Sequence, residues 1–172
     1  MPTICSERFI LRPFRRGDED SLAENISNAN IARRTLRIPY PYKKRDARSW
    51  IGHNLRLGRL KNRSEIHFAI DVNGNVVGGI GLEKMDGFEA EIGYWLGEAY
   101  WGQGIMTSAL DLVTGYAFAE RGLGKISAYV FTSNKASMRV LEKAGYQFKG
   151  RLISHYSKEG KPVDSMLFTK FK

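Results

Sequence analysis

The stretch LGEAYWGQGIMTSAL, residues 96–110, decides how the rest of the chain is read. Two aromatics, Tyr100 and Trp101, lead into Gly102-Gln103-Gly104, and a helical pattern starts at once with Ile105-Met106-Thr107. A helix begins with backbone N–H groups that lack partners and with the positive end of its macrodipole. Glycines there admit unusual backbone angles and keep Cβ atoms out of the path of an approaching anion. The stretch reads as a strand-to-helix turn that cradles a phosphate. It is not a nucleoside triphosphate loop, because no Gly-Lys-Ser/Thr follows. Nor is it the dinucleotide fingerprint, which needs a third glycine and a preceding βαβ unit. A tight turn explains two glycines about as well as a ligand does, and these residues alone do not choose.

On either side the hydrophobic period alternates between strand and helix. FILRPF (9–14) is the first strand, stopped by Pro13 and Gly17-Asp18; Asp18 or Asp20 then caps a helix carrying Leu22, Ala23 and Ile26. RRTLRIPYPYKKR (33–45) is a basic, proline-broken loop, followed by a helix capped by Asp46 with Trp50, Ile51 and Leu55 on one face. IHFAIDV, the turn NGN at 73–75, and VVGGIGL form an antiparallel hairpin, and AEIGYWL (90–96) is the next strand. After the glycines, Ile105, Ala109, Leu112, Val113 and Tyr116 repeat at helical spacing. KISAYVF (125–131) is apolar at nearly every position, as in a strand covered on both faces. Asn134 opens a helix that ends at Gly145, and YQFKGRLI and DSMLFTKF, separated by KEGKP, close the chain as a hairpin. The expectation is one mixed α/β domain over residues 1–172.

Bulk properties exclude several classes. A chain of 172 residues, 42% hydrophobic and 26% charged, is long enough for one sizeable core. No run approaches the ~18 apolar residues that cross a bilayer. MPTICSERFI lacks the basic start and apolar run of a secretory signal, so the cytoplasm is the expected compartment. Cys5, the only cysteine, rules out an internal disulfide. His53, His67 and His155 are scattered without metal-ligand spacing, and no metal is expected. The net charge of +9 favours anionic partners such as phosphates, nucleic acid or ribosomes, without selecting one.

AEIGYWLGEAYWGQGIMTSALDLVTGYAF and NKASMRVLEKAGYQFKGRL, in that order and spacing, resemble the GNAT superfamily of N-acetyltransferases, in the branch of the ribosomal-protein alanine N-acetyltransferases. ERFILRPF, IPYPY and GKPVDSMLFTK extend the resemblance over nearly the whole chain. It implies a mostly antiparallel sheet of about six to seven strands, flanked by helices and splayed where the cofactor enters. It also implies an acetyl-CoA-dependent enzyme that needs no metal. By the same resemblance, the pantetheine arm lies along Tyr94, Trp95 and Leu96, with Asn134 as a further contact. The pyrophosphate sits on the amides of Gly102, Gln103, Gly104, Ile105, Met106 and Thr107. Two residues depart from the common pattern. Trp101 stands where many members have Gln or Arg, although this branch often has Trp, and Met106, where Gly or Ala is usual, is expected either to crowd the cradle or to reposition the cofactor.

Acetyl transfer to an amine needs a neutral amine, a stabilised oxyanion and a proton for the leaving thiolate. An α-amine, with a pKa of roughly 7.7–8.0, is already partly neutral near pH 7. A lysine amine near 10.4 costs about 4–5 kcal/mol to deprotonate. Glu91 matches the strand glutamate that serves as general base in several members. A surface ion pair with an arginine is the plainer alternative, and proton relay through water is another. Glu89, two residues away, ranks below Glu91. Many members place a tyrosine acid four residues after the position of Ser137, where this chain has Leu141. Ser137 is therefore expected to donate to the thiolate, while Asn134 and Ser137 also suit a helix N-terminus. Tyr40 and Tyr42 either wall the acceptor pocket or belong to a rigid surface loop. The expected acceptor is a protein N-terminus, with ribosome association and either a monomer or a homodimer. A small amine (a polyamine or an antibiotic) is the alternative, and a non-catalytic module binding nucleic acid is the reading from a different class.

Overall fold

A computed structural model describes residues 1–172. In chain order it contains β1 (Ile4–Cys5), β2 (Ile10–Pro13), α1 (Glu19–Ile26), α2 (Ala29–Arg34), α3 (Lys44–Leu57), β3 (Ile66–Val72), β4 (Asn75–Glu83), β5 (Glu89–Leu96), a 3₁₀ turn (Glu98–Tyr100), α4 (Ile105–Glu120), β6 (Lys125–Phe131), α5 (Lys135–Lys143), β7 (Gln147–Lys158) and β8 (Lys161–Phe171). The strands form one sheet in the order β1-β2-β3-β4-β5-β6-β8-β7. Only β5 and β6 run parallel. The sheet has eight strands rather than six or seven. The additional one is β1, whose two residues are too few to leave a periodic signal.

The pattern of glycine and β-branched residues explains the centre of the sheet. Asn73 and Gly74 both take positive φ, 52° and 85°, which matches the twist of the strands they join. On one face Phe68, Ile70, Ile80, Leu82, Ala90 and Ile92 pack beneath Ala109, Leu110 and Val113 of α4. On the other face Phe14, Leu22, Ile26, Ile51 and Val76 form a smaller cluster under α1 and α3. Burying each large aliphatic side chain contributes ~1.5–3 kcal/mol, so the two-sided packing secures the middle strands.

Three local expectations change. Asp18 occupies the N-cap position of α1 without capping it with its side chain. Its carboxylate instead holds Arg12 through two bonds of 2.8 and 2.9 Å, while Arg12 Nε reaches Asp71 at 2.6 Å. A buried guanidinium offers its best free energy to such forked partners, and the carboxylates win Asp18 from the helix. Asp46 lies inside α3 and accepts from the Lys43 N–H at 2.8 Å, the N3 half of a capping box. The basic loop is shorter than expected, because Asn28 Oδ1 caps Asn30 and Ile31 and turns residues 29–34 into a helix. Asn134, by contrast, caps α5 as read, accepting from the Ser137 N–H at 3.2 Å.

Candidate active site

β5 and β6 pair only over Glu89–Lys125, Ala90–Ile126 and Glu91–Ser127. Beyond Glu91 the two strands no longer pair, leaving a gap between them. The N–H of Gly97 donates to Val77 O at 2.8 Å. Because alternate residues of an antiparallel strand face the same neighbour, Glu91, Gly93 and Trp95 turn their main chains to β4. Tyr94 and Leu96 turn theirs to the gap. Trp95 therefore does not face the gap as expected, and its indole lies over Gly79, packed against the smaller cluster. The Leu96 carbonyl accepts from Trp101 Nε1 at 2.7 Å, which leaves its N–H as the main-chain group available there.

At the end of the gap the chain reaches the glycine turn. Gly102 and Gly104 hold φ of 74° and 77°, in the region that costs other residues strain. Gly104 is the N-cap of α4, no side chain caps this end, and no acidic residue lies in its first turn. The first-turn amides of Ile105, Met106 and Thr107 are thus left for an anion. Met106 is 6% exposed and belongs to the main core, so its side chain points away from the cradle and does not crowd it. Gln103 Nε2 bonds back to Ala99 O at 2.9 Å, which tightens the turn. A Cβ on Gly104 would lie 3.4 Å from Arg8 Nη2, so a guanidinium from the chain's first segment stands at the mouth. Arg8 was invisible to the sequence reading, since nothing local links residue 8 to residue 104.

Across the gap, Tyr94 Oη and Ser137 Oγ are 2.7 Å apart, with Ser137 O at 3.3 Å. Burial pushes the Tyr94 phenol far above its ordinary range, and the Ser137 hydrogen bond offsets only part of that. The phenol stays protonated and can donate. Leu141 is fully buried, consistent with a packing side chain at the place where many relatives carry an acid.

The opposite face of the sheet carries a second group of candidate residues. Register places Glu83, Glu91 and Ser127 in one row. Glu91 is ion-paired with Lys84 at 2.7 Å. Glu89 is tied to Lys125 instead. Next to Glu91, Gly93 is exposed, and an added Cβ would meet nothing within 4 Å. Arg37, from the loop after α2, pairs with Glu83 at one wall. Tyr156 of β7 stands at the other, its phenol pushed up to about 12 by burial and then by the Glu91 charge. Lys158 donates to Ala32 O at 2.7 Å and to Thr35 O, so the β7–β8 hairpin is bound to the end of α2. Tyr42 packs against the smaller cluster while Tyr40 is 59% exposed, so the two tyrosines do not act as a pair.

The α2 helix joins the two groups. Asn28 and Asn30 hydrogen-bond Glu98 in the turn before the cradle, and the Arg34 guanidinium lies 5.3 Å from the Trp101 ring centroid. Neither tie was legible from sequence, although Asn28 two residues before Asn30 is an ordinary capping signal.

Comparison with known proteins gives this geometry a context. The sequence profile described as "Acetyltransferase (GNAT) domain" matches residues 8–147. An uncharacterized N-acetyltransferase, p20 of Bacillus licheniformis, is 28% identical over 176 residues, covering 100% of this chain and 97% of that relative. Among solved structures, the ribosomal-protein-S5-alanine acetyltransferase from Vibrio fischeri superposes with a TM-score of 0.87 at 17% identity, covering 99% of this chain and 97% of its own. RimL, a ribosomal L7/L12 α-N-protein acetyltransferase in complex with coenzyme A, also gives 0.87, at 21% identity and covering 99% and 98%. These two likenesses speak to the fold. No helix here is long and apolar enough to cross a membrane.

Proposed function

The chain belongs to the GNAT acetyltransferase family and is an N-acetyltransferase, and from that premise we propose that it moves an acetyl group from acetyl-CoA to the N-terminal α-amine of a protein, ribosomal proteins being the first candidates. The observation that carries this reading is the pairing of an uncapped, glycine-opened helix start with a gap in the sheet that leads to an open floor at Gly93. The residues fit coenzyme A. Two positive-φ glycines expose amides to a diphosphate, Arg8 adds charge at the mouth, and the Tyr94 and Leu96 main chain faces the gap.

When bound, acetyl-CoA supplies a thioester carbonyl open to attack by an amine. The chain's own groups do the rest. Glu91, facing the floor, takes the proton that the attacking amine sheds, directly or through water. It sits within reach of Lys84, and an α-amine, already partly neutral near pH 7, asks less of such a base than a lysine amine does. On the far side of the gap, Ser137 donates to the departing sulfur and is resupplied by Tyr94 at 2.7 Å. Asn134 holds the backbone of that helix start and so fixes Ser137.

The names of the neighbours support a protein acceptor in a ribosomal setting, which a +9 chain would reach through the anionic ribosome surface. The deciding experiment offers radiolabelled acetyl-CoA with three acceptor sets: peptides of varied N-terminal residue, polyamines and aminoglycosides. Label is expected on free N-termini and not on N-terminally blocked peptides that carry lysine. Transfer confined to the polyamines or aminoglycosides refutes the protein-acceptor reading.

A further inference from the structure

Two of the three histidines, far apart from any metal motif in sequence, meet in the fold. His53 on α3 and His67 on β3 both turn Nε2 toward one oxygen of Glu65, at 3.2 and 3.1 Å. The three donor atoms lie within 4.8 Å of one another. Glu65 and His67 are two residues apart on an extended segment, so their side chains share a face. Trp50 holds the rings in place, stacked on His53 at 5.7 Å and edge-on to His67 at 4.8 Å between centroids. His67 is 5% exposed, and its ring covers Gly81, where a Cβ would come within 2.2 Å of Nδ1. The pocket for this imidazole is therefore built into the sheet. A cleft of about 210 Å³, lined by Phe14, Asn54, Leu55, Glu65 and His67 among others, runs from solvent to the cluster.

We propose that His53, Glu65 and His67 bind one divalent transition cation of the zinc class, with a fourth position open to water. A tetrahedral ion with arms of about 2.0–2.1 Å separates its donors by about 3.3 Å. The two N–O separations already match that edge. Two imidazoles and one carboxylate select zinc and its neighbours over calcium or magnesium, which take oxygen sets. Both rings aim Nε2 at one carboxylate oxygen, so an ion entering between them takes the place of these two hydrogen bonds.

The consequence is mechanical. The ion clips α3 to the start of β3 and closes the loop over residues 58–65. It also fixes the His67 ring above Gly81, whose partner in register across β4 and β5 is Gly93. Metal occupancy thereby stiffens the edge of the acceptor floor. The proposal does not depend on which amine is acetylated.

The test uses untagged full-length protein, stripped with a chelator and titrated with zinc chloride by calorimetry. One zinc per chain is expected, together with a rise in thermal midpoint. His53→Ala and Glu65→Gln, at two partly exposed positions whose loss leaves the core intact, should each weaken zinc at least 10-fold and abolish the thermal rise. His155→Ala and Cys5→Ser should change neither. No binding to the wild type, or unchanged binding in both His53→Ala and Glu65→Gln, overturns the proposal. Loss of binding in Cys5→Ser alone overturns it as well, by moving the ion elsewhere.

Discussion

The proposed cradle is one run of six residues, Gly102 to Thr107, whereas the proposed acceptor floor gathers Arg37, Glu83, Glu91 and Tyr156 from a loop, two strands and a hairpin. One half is made of backbone in a single short stretch. The other is made of side chains that only the finished sheet brings together. The first half should be sensitive to conformation and tolerant of side-chain chemistry; the second should behave the other way round. Each prediction below strains that contrast, beginning with the largest effect.

Gly104→Val forces a β-branched residue to φ 77°, a genuine outlier for such a side chain, at a cost of ~1–3 kcal/mol. The first turn of α4 must give way to relieve it, and the amides then lose their common aim. Steady-state kinetics should show kcat/KM for acetyl-CoA falling on the order of 100-fold, equivalent to ~2.7 kcal/mol. The acceptor KM should hardly move. Gln103→Ala, which removes only a side chain bonded back to Ala99, should cost no more than about twofold, within the ~0.5 kcal/mol of an ordinary surface change. If Gln103→Ala proves as harmful as Gly104→Val, the cradle is not built from main chain.

On the acceptor side the side chain is the working part. Glu91→Gln keeps size and removes the proposed base, and turnover at neutral pH should fall on the order of 100-fold, the low end of the range for general acid–base catalysis. The amine loses its own proton as pH rises through its pKa, so the deficit should shrink at high pH. A deficit that stays constant across the profile removes Glu91 from proton transfer. Between the two halves stands Ser137, bonded to Tyr94 at 2.7 Å. Ser137→Ala should lower kcat about 10-fold with KM for acetyl-CoA unchanged, as expected for a group that acts only as the thiolate leaves. Full turnover in this variant ends its role.

The same contrast explains what could be read from the chain. The turn at 102–104, the hairpin through Asn73-Gly74, and the Asn134 cap lie within a few residues of their causes, so local chemistry announced them. The β5–β6 gap and Ser137 followed only through family resemblance, since a strand does not record where its neighbour departs. Arg8, Arg37 and Tyr156 reach the site from 46 or more residues away, and nothing in their own surroundings marks them. His53 and His67 belong to this last class. Only Glu65 and His67, at the two-residue spacing of a strand face, left a trace. Asp18 was misread for a related reason: its local role as a cap lost to Arg12, a partner buried with it at 5% and 3% exposure.

The mildest test is the cleanest. Gly93 lies on the exposed floor beside Glu91, has no positive φ, and would carry a Cβ with nothing inside 4 Å. Gly93→Ala therefore asks nothing of the fold, and stability should hold or rise slightly, because alanine narrows the unfolded ensemble by ~0.4–1 kcal/mol. The added methyl takes space only from whatever lies on the floor. KM for the acceptor should rise a few-fold, with KM for acetyl-CoA and the thermal midpoint left near wild type. Because the variant fills space without removing a charge or a hydrogen bond, a rise in acetyl-CoA KM instead would mean that the cofactor, and not the amine, lies over Gly93. The division between the two halves of the site would then have to be redrawn along β5.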